Sequence, residues 1–351
     1  MTEPNKPLEQ MSAQERLGLG ISQYEEGKFD EAIKTLSSIR REEADPKTYA
    51  RAQLNLGVAY KDQGELDQAI KTLSSIRREK ADPKTYAQAQ NNLGAAYYAQ
   101  GELDQAIKTW SNIHREDNPK TYAKAQYNLG AAYYAQGKLD QAIKTWSNIH
   151  REDNPKTYAQ AQNNLGVAYA KSGKLDQAIT AWSNIHREDN PETYARAQYN
   201  LGVAYKDQGE LDQAIKTLSS IRREEADPAT YAQAQNNLGV AYAKSGKLDQ
   251  AITAWSNITR DDDPETYARA QYNLGEVYSL DKEKEEQSYK AYNNAQEFSY
   301  YKPERGFKIL KCPQKIRKDL HTLAESTDEV LESLQIIPGF ESKVAHYTRP
   351  Q

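Results

Sequence analysis

The chain has 351 residues, with 46 basic and 50 acidic side chains and a formal charge of −4. So even a balance argues against nucleic-acid binding by the whole surface, and a single cysteine, Cys312, excludes a disulfide scaffold or a multi-cysteine metal site. No run of about 18 apolar residues is present, so no transmembrane helix is expected, and a mean hydropathy of −0.94 fits a thin, solvent-rich architecture.

Residues 1–12 read as a polar N-terminal tail, MTEPNKPLEQMS, without the apolar core of a Sec-type signal peptide. Together with the lone cysteine this predicts a cytoplasmic location. Residues 13–45 form a first, diverged repeat unit. A Thr-Tyr-Ala triplet then recurs, with Tyr49, Tyr86, Tyr122, Tyr158, Tyr194, Tyr231 and Tyr267 at intervals of 36 or 37 residues. A period of that length is the signature of a solenoid. Within residues 267–300 the pattern begins again as YARAQYNLGEVY and then drifts, so the array is read as seven units and a degraded eighth over residues 13–300.

Each unit decodes as two helices. Asn118-Pro119 supplies a polar cap and a proline in the first turn, where a missing N–H costs nothing. Ala123, Tyr127, Gly130 and Tyr134 then recur at helical spacing, and Gly137 breaks the helix. Leu139, Ala142, Ile143, Trp146 and Ile149 mark one face of a second helix. Helices of three to four turns are marginal alone, so stacking of neighbouring pairs must bury the shared face. Asp104, Asp140, Asp176 and Asp212 fall near the start of the second helices and are expected to cap them and match the dipole.

Leu129-Gly130, Tyr133, Ala142 and Trp146 are the residues by which each unit resembles the tetratricopeptide repeat, across roughly residues 13–300. The resemblance implies an all-α, right-handed superhelical solenoid of helix-turn-helix repeats. Small Gly130 and Ala142 would let the paired helices approach, and Tyr133 and Trp146 would fill the gaps. The units depart from the family in having Gln126 where it often has Trp, Ile149 in place of an alanine, and a longer period. Trp110, Trp146, Trp182 and Trp255 stand where other units carry Leu, which reads as core filling.

In that family the first helix of each pair lines a concave groove. Here an asparagine precedes Leu-Gly in every unit after the first: Asn55, Asn92, Asn128, Asn164, Asn200, Asn237 and Asn273. A side-chain amide carries two donors and an acceptor, so a row of them would grip the backbone of an extended peptide. The row is similar to the asparagine ladder of the O-GlcNAc transferase superhelix and of kinesin light chain repeats. The alternative is a fold residue that hydrogen-bonds between helices; both readings stand at this point. Four residues earlier, Arg51, Lys124, Arg196 and Arg269 alternate with glutamines, and Tyr127, Tyr199 and Tyr272 alternate with asparagines just before the row. Such cations, about 20 Å apart if helix layers pack at ~10 Å, would favour a ligand with intermittent acidic groups, or they are a solvated face copied by duplication. Leu54, Asn91 and Tyr127 occupy the place where a chaperone-type carboxylate clamp would need its first lysine, so no such clamp is expected.

Chemistry is not indicated. His114, His150 and His186 are copies 36 residues apart, too distant to share a metal, and no phosphate-binding, nucleophile-elbow or zinc-protease motif occurs. No catalytic residue, metal or cofactor is predicted. Residues 301–351 form a basic, mostly helical C-terminal segment, in which Lys302, Arg305, Lys308, Lys311, Lys315, Arg317 and Lys318 face only Glu304. Val344–Thr348 reads as the entry into a new structured element, and its His346-Tyr347-Thr348 run resembles the opening of an uncharacterised bacterial domain that can follow repeat arrays. The leading expectation is a non-enzymatic interaction scaffold that binds a protein or peptide partner with acidic groups, as an extended peptide or a partner helix, in its concave groove. The alternatives are the sensor arm of an effector whose catalytic part follows residue 351, and nucleic-acid contact through residues 302–318.

Overall fold

The computed structural model describes residues 7–296, and every regular element among them is helical. The predicted basic segment 301–351, with Cys312 and the two remaining histidines, lies outside the described residues. Eight helix pairs follow one another. The first helices are α1 (Ala13–Glu25), α3 (Pro46–Asp62), α5 (Pro83–Ala99), α7 (Pro119–Ala135), α9 (Pro155–Lys171), α11 (Pro191–Asp207), α13 (Pro228–Lys244) and α15 (Pro264–Ser279). The second helices are α2 (Phe29–Ser37), α4 (Leu66–Ser74), α6 (Leu103–Ser111), α8 (Leu139–Ser147), α10 (Leu175–Ser183), α12 (Leu211–Leu218), α14 (Leu248–Ser256) and α16 (Glu285–Gln296).

The local signals explain the boundaries. Asn118 is extended, and its side chain accepts from the Thr121 N–H at 2.8 Å, just ahead of Pro119. Asp82, Asn190, Asp227 and Asp263 cap α5, α11, α13 and α15 in the same way. In the diverged first unit Ser12 and Glu15 form a capping box instead. Gly137 ends α7 with φ +74°, a region that disfavours side chains, and Lys138 N–H then reaches back to the Tyr133 carbonyl at 2.9 Å.

The aspartates of the second helices do not cap them. The capping position is held by Glu102 in α6 and Lys138 in α8, and neither side chain accepts a capping bond. The aspartate lies two residues further in, inside the first turn, where it still matches the helix dipole while its carboxylate projects from the helix flank. There Asp30, Asp67 and Asp104 accept from Gln63, Gln100 and Gln136 at 2.7, 2.6 and 3.1 Å. They tie each second helix to the end of the next first helix.

Two compact units divide the chain, residues up to 168 and residues from 169. Within the first, α1 to α8 pack pair on pair, and α1, α3, α5 and α7 also touch in sequence; within the second, α11, α13 and α15 do the same. The packing within each pair rests on the Leu-Gly glycine. A Cβ on Gly57 would lie 2.5 Å from Leu73 Cγ, and one on Gly275 would lie 2.7 Å from Tyr292. The indole of Trp146, fully buried, lies against Gly130 and donates to the Tyr127 carbonyl at 3.0 Å. Trp110 and Trp255 repeat this with the carbonyls of Asn91 and Asn236. The tryptophans fill the core, as expected, and their N–H groups are not left unsatisfied.

A second tie between units escapes the hydrophobic pattern. Arg78 bonds Asp117 at 2.5 Å, Arg115 bonds Asp153 at 2.8 Å, Arg187 bonds Glu225 at 3.1 Å, and Arg223 bonds Asp262. Each pair joins the loop after one second helix to the loop after the next. The guanidinium groups of Arg78, Arg187 and Arg223 lie 5.3, 4.9 and 4.9 Å from the centres of the Tyr86, Tyr194 and Tyr231 rings, so the Thr-Tyr-Ala tyrosines serve as stacking plates. The acid always lies four residues beyond a buried isoleucine such as Ile113 or Ile149. At the corresponding place after Ile76 stands Lys80, so the position offers no acid to Arg41, the cation that holds the place of Arg78 one unit earlier.

Two outcomes follow from this packing. Gly130→Ala forces a methyl into the Trp146 ring and should lower stability by about 1–3 kcal/mol, read from urea denaturation followed by circular dichroism. Lys80→Asp should raise the urea midpoint by completing the missing tie, an exposed pair worth about 0.5 kcal/mol, and the gain should shrink in high salt.

Candidate functional site

The asparagine row lies on the first helices, one residue ahead of the buried Leu-Gly pair. Asn128, Asn164 and Asn273 are buried, whereas Asn55, Asn92, Asn200 and Asn237 are half-buried. Their amides are partly engaged within the fold. Asn55, Asn92 and Asn237 each give one hydrogen to the carbonyl four residues back, at 2.8, 2.9 and 2.9 Å from Arg51, Gln88 and Gln233. Asn273 donates to the Asn236 side chain of the preceding unit at 3.2 Å. Asn164 Nδ2 is buried without a hydrogen-bond partner. At Asn55 and Asn92 the side-chain oxygen and the second amide hydrogen have no partner among the described residues.

The neighbouring cations differ in how far the protein already neutralises them. Arg196 bonds Glu192 at 2.7 Å and reaches Asp227 at 3.4 Å, and Arg269 pairs with Glu265. Arg51 is exposed and faces Asp82; burial raises that carboxyl, but bonds from Thr85 and the charge of Arg51 outweigh it and hold Asp82 below the usual carboxylate range. Lys124 is exposed. The tyrosines are half-buried packing residues. Tyr199 packs on the Ala195, Leu218 and Leu238 cluster, and Tyr272 meets the Tyr292 ring edge-on at 5.7 Å between centroids. Tyr127 lends its backbone carbonyl to Trp146.

One contact on this face was not legible in the repeat pattern. Lys206, near the end of α11, donates from Nζ to Asn237 Oδ1 at 2.8 Å across to α13. Burial and the nearby Lys244 push its ammonium below the usual lysine value, against the opposing pull of Asp207. Elsewhere the surface offers little enclosure. An open recess of about 440 Å³ at the loop edge is lined by His114, Arg115, Tyr122 and Asn148, and its arginine is already committed to Asp153. Among the described residues no three His, Cys, Asp or Glu side chains converge on a metal-sized site, and no helix is long and apolar enough to cross a membrane.

Stacked helix pairs with a Leu-Gly contact in each pair define a helical-repeat protein. The tetratricopeptide repeat pattern matches residues 23–93 and 169–238 in one form and residues 127–192 and 236–300 in another, and the chain belongs to the tetratricopeptide repeat family. Residues 92–144 also match a domain of unknown function. Among solved structures, the C-terminal part of a tetratricopeptide repeat protein from Cytophaga hutchinsonii is 16% identical, with a TM-score of 0.52 over 71% of this chain and 95% of its own. The crystal structure of MamA is 26% identical, with a TM-score of 0.40 over 47% of this chain and 90% of its own. A tetratricopeptide repeat protein from Parabacteroides merdae is 15% identical, with a TM-score of 0.44 over 81% and 98%. No curated protein matches the chain. Repeats of this family generally mediate protein–protein interactions and are generally non-catalytic.

Tyr199 gives a pH handle on this face. Its burial, and the charge of Asp207, raise the phenol to about 12 against opposing contributions from Arg269 and Asn237. Tyr24, partly buried and bonded to Asp62, is likewise raised to about 12. Because the folded value lies above the unfolded one of about 10, each contribution to stability is complete below pH ~10 and is lost as pH rises toward 12. Ultraviolet titration of tyrosinate should therefore contain a late component that shrinks in Tyr199→Phe.

Proposed function

We propose that the chain is a non-enzymatic interaction scaffold that holds an extended peptide segment of a partner along its first helices, through the asparagine row. The observation that carries this is the state of Asn55 and Asn92. Each spends one hydrogen on its own helix, which fixes the amide plane, and keeps an acceptor and a donor for a ligand. A peptide unit presents one C=O and one N–H, the complement of what remains. Amides aligned on successive first helices would read backbone rather than side chains, with charge selection added by exposed Arg51 and Lys124. The bond of Asn273 to the Asn236 side chain and the bond that Asn237 Oδ1 accepts from Lys206 support a structural share for the later members of the row, so the peptide-holding role belongs first to Asn55 and Asn92.

The test is capture of short random-sequence peptides by the full chain. Asn55→Ala combined with Asn92→Ala should weaken capture about tenfold, the loss of one to two net hydrogen bonds, with helicity and melting temperature nearly unchanged. Loss of helicity in the double variant would make these asparagines structural, and unchanged capture by a folded variant would remove them from the binding face.

A further inference from the structure

Lys61 and Lys206 hold the same place in their units, twelve residues after Tyr49 and Tyr194. Their surroundings differ. Lys61 Nζ lies 2.9 Å from Asp62 on its own helix, and the Tyr24 hydroxyl donates to that carboxylate and anchors it. Asp207, the counterpart of Asp62, is largely exposed and stands 3.6 Å from Lys206. Lys206 instead turns to α13, where its best contact is the neutral Asn237 Oδ1 at 2.8 Å. Its side chain is only 19% exposed.

The consequence for Asn237 is specific. Its amide nitrogen gives one hydrogen to the Gln233 carbonyl at 2.9 Å, and the amide lies near the Tyr199 phenol. Its oxygen is held by Lys206. Asn92, by contrast, keeps its oxygen and one hydrogen. The charges facing Lys206 are Asp207 on its own helix and Lys244 on α13, while Arg269 on α15 faces the adjoining Tyr199. Arg196 and Arg269 have carboxylates of the chain at hydrogen-bond distance; Lys206 has a neutral amide at that distance and its one carboxylate, Asp207, further off at 3.6 Å. A largely buried ammonium whose hydrogen bond goes to a neutral amide, with Lys244 nearby and only the exposed Asp207 as an anion 3.6 Å away, favours a closer incoming carboxylate.

On the peptide-binding reading above, we infer that Lys206 is the specificity-determining residue of the second unit: it selects a segment with an aspartate or glutamate side chain opposite α11 and α13. The ligand carboxylate takes the Lys206 ammonium, and Asn237 Oδ1, released, accepts an N–H of the same segment. Binding there is thus conditional on the acidic side chain, whereas Asn55 and Asn92 accept any backbone.

The test is a positional scan of immobilised short peptides that differ by Glu or Gln at one site, with the full chain as probe. Wild type should favour Glu over Gln about tenfold at one position, the scale of one charge-assisted bond. Lys206→Met, which keeps the apolar stem, should reduce that preference to less than about twofold while still binding the Gln peptides, and Lys206→Glu should reverse it. Lys61→Met should leave it intact. A preference that survives in folded Lys206→Met, or capture by wild type without any preference for Glu, overturns the role of Lys206 and leaves the asparagine reading standing. Capture of no peptide by wild type overturns both.

Discussion

The contact between each Leu-Gly glycine and the large side chain of its paired helix is the constraint on which the rest of the molecule depends. Gly57 against Leu73, Gly130 against Trp146 and Gly275 against Tyr292 leave no room for a methyl group. That closeness sets how the two helices of a pair lie, and so which face of each first helix is left to meet the next pair. Nine-residue second helices such as α4 and α8 would not persist alone. They persist because Ala69, Leu73, Ala142 and Trp146 are removed from water by the pairs on either side. The asparagine row follows from the same geometry, since each member lies two residues before its glycine on the first helix.

Much of this could be read from residues close together in sequence. Asn118-Pro119, Gly137, and the spacing of Leu139, Ala142 and Trp146 all act within a turn or two, and each does in the structure what its local chemistry implies. The aspartates of the second helices were misread for an instructive reason. A carboxylate near a helix start suggests a cap, but the chain enters α8 at Lys138, and an aspartate two residues inside projects toward a neighbour instead. The Arg78–Asp117 and Arg223–Asp262 ties were invisible because their partners lie 39 residues apart. A cation two residues and an acid four residues after each buried isoleucine was the signal, and Lys80 is the position that makes it noticeable by breaking it.

The candidate site was legible as a row of residue types but not as a set of hydrogen-bonding states. Seven asparagines look equivalent in sequence; in the structure three are buried, one bonds its neighbour and one is held by a lysine. Those differences arise from side chains outside the repeated motif: Tyr24, which anchors Asp62 and so keeps Lys61 on its own helix, and the exposed Asp207, which does not keep Lys206. Near-identical units therefore need not bind in the same way. The first unit offers neutral amides, and the second offers an ammonium that lacks a carboxylate in hydrogen-bond contact. A scaffold built this way would combine tolerant grip on a backbone with one charge-dependent check.

The most direct test of the central claim is nuclear magnetic resonance of the asparagine side-chain amides during titration with captured peptide. The account predicts large shifts of the Asn55 and Asn92 NH₂ pairs, with one hydrogen of each newly protected from exchange. Shifts confined to the loop edge or the second helices, with those two amides unmoved at saturation, would contradict it.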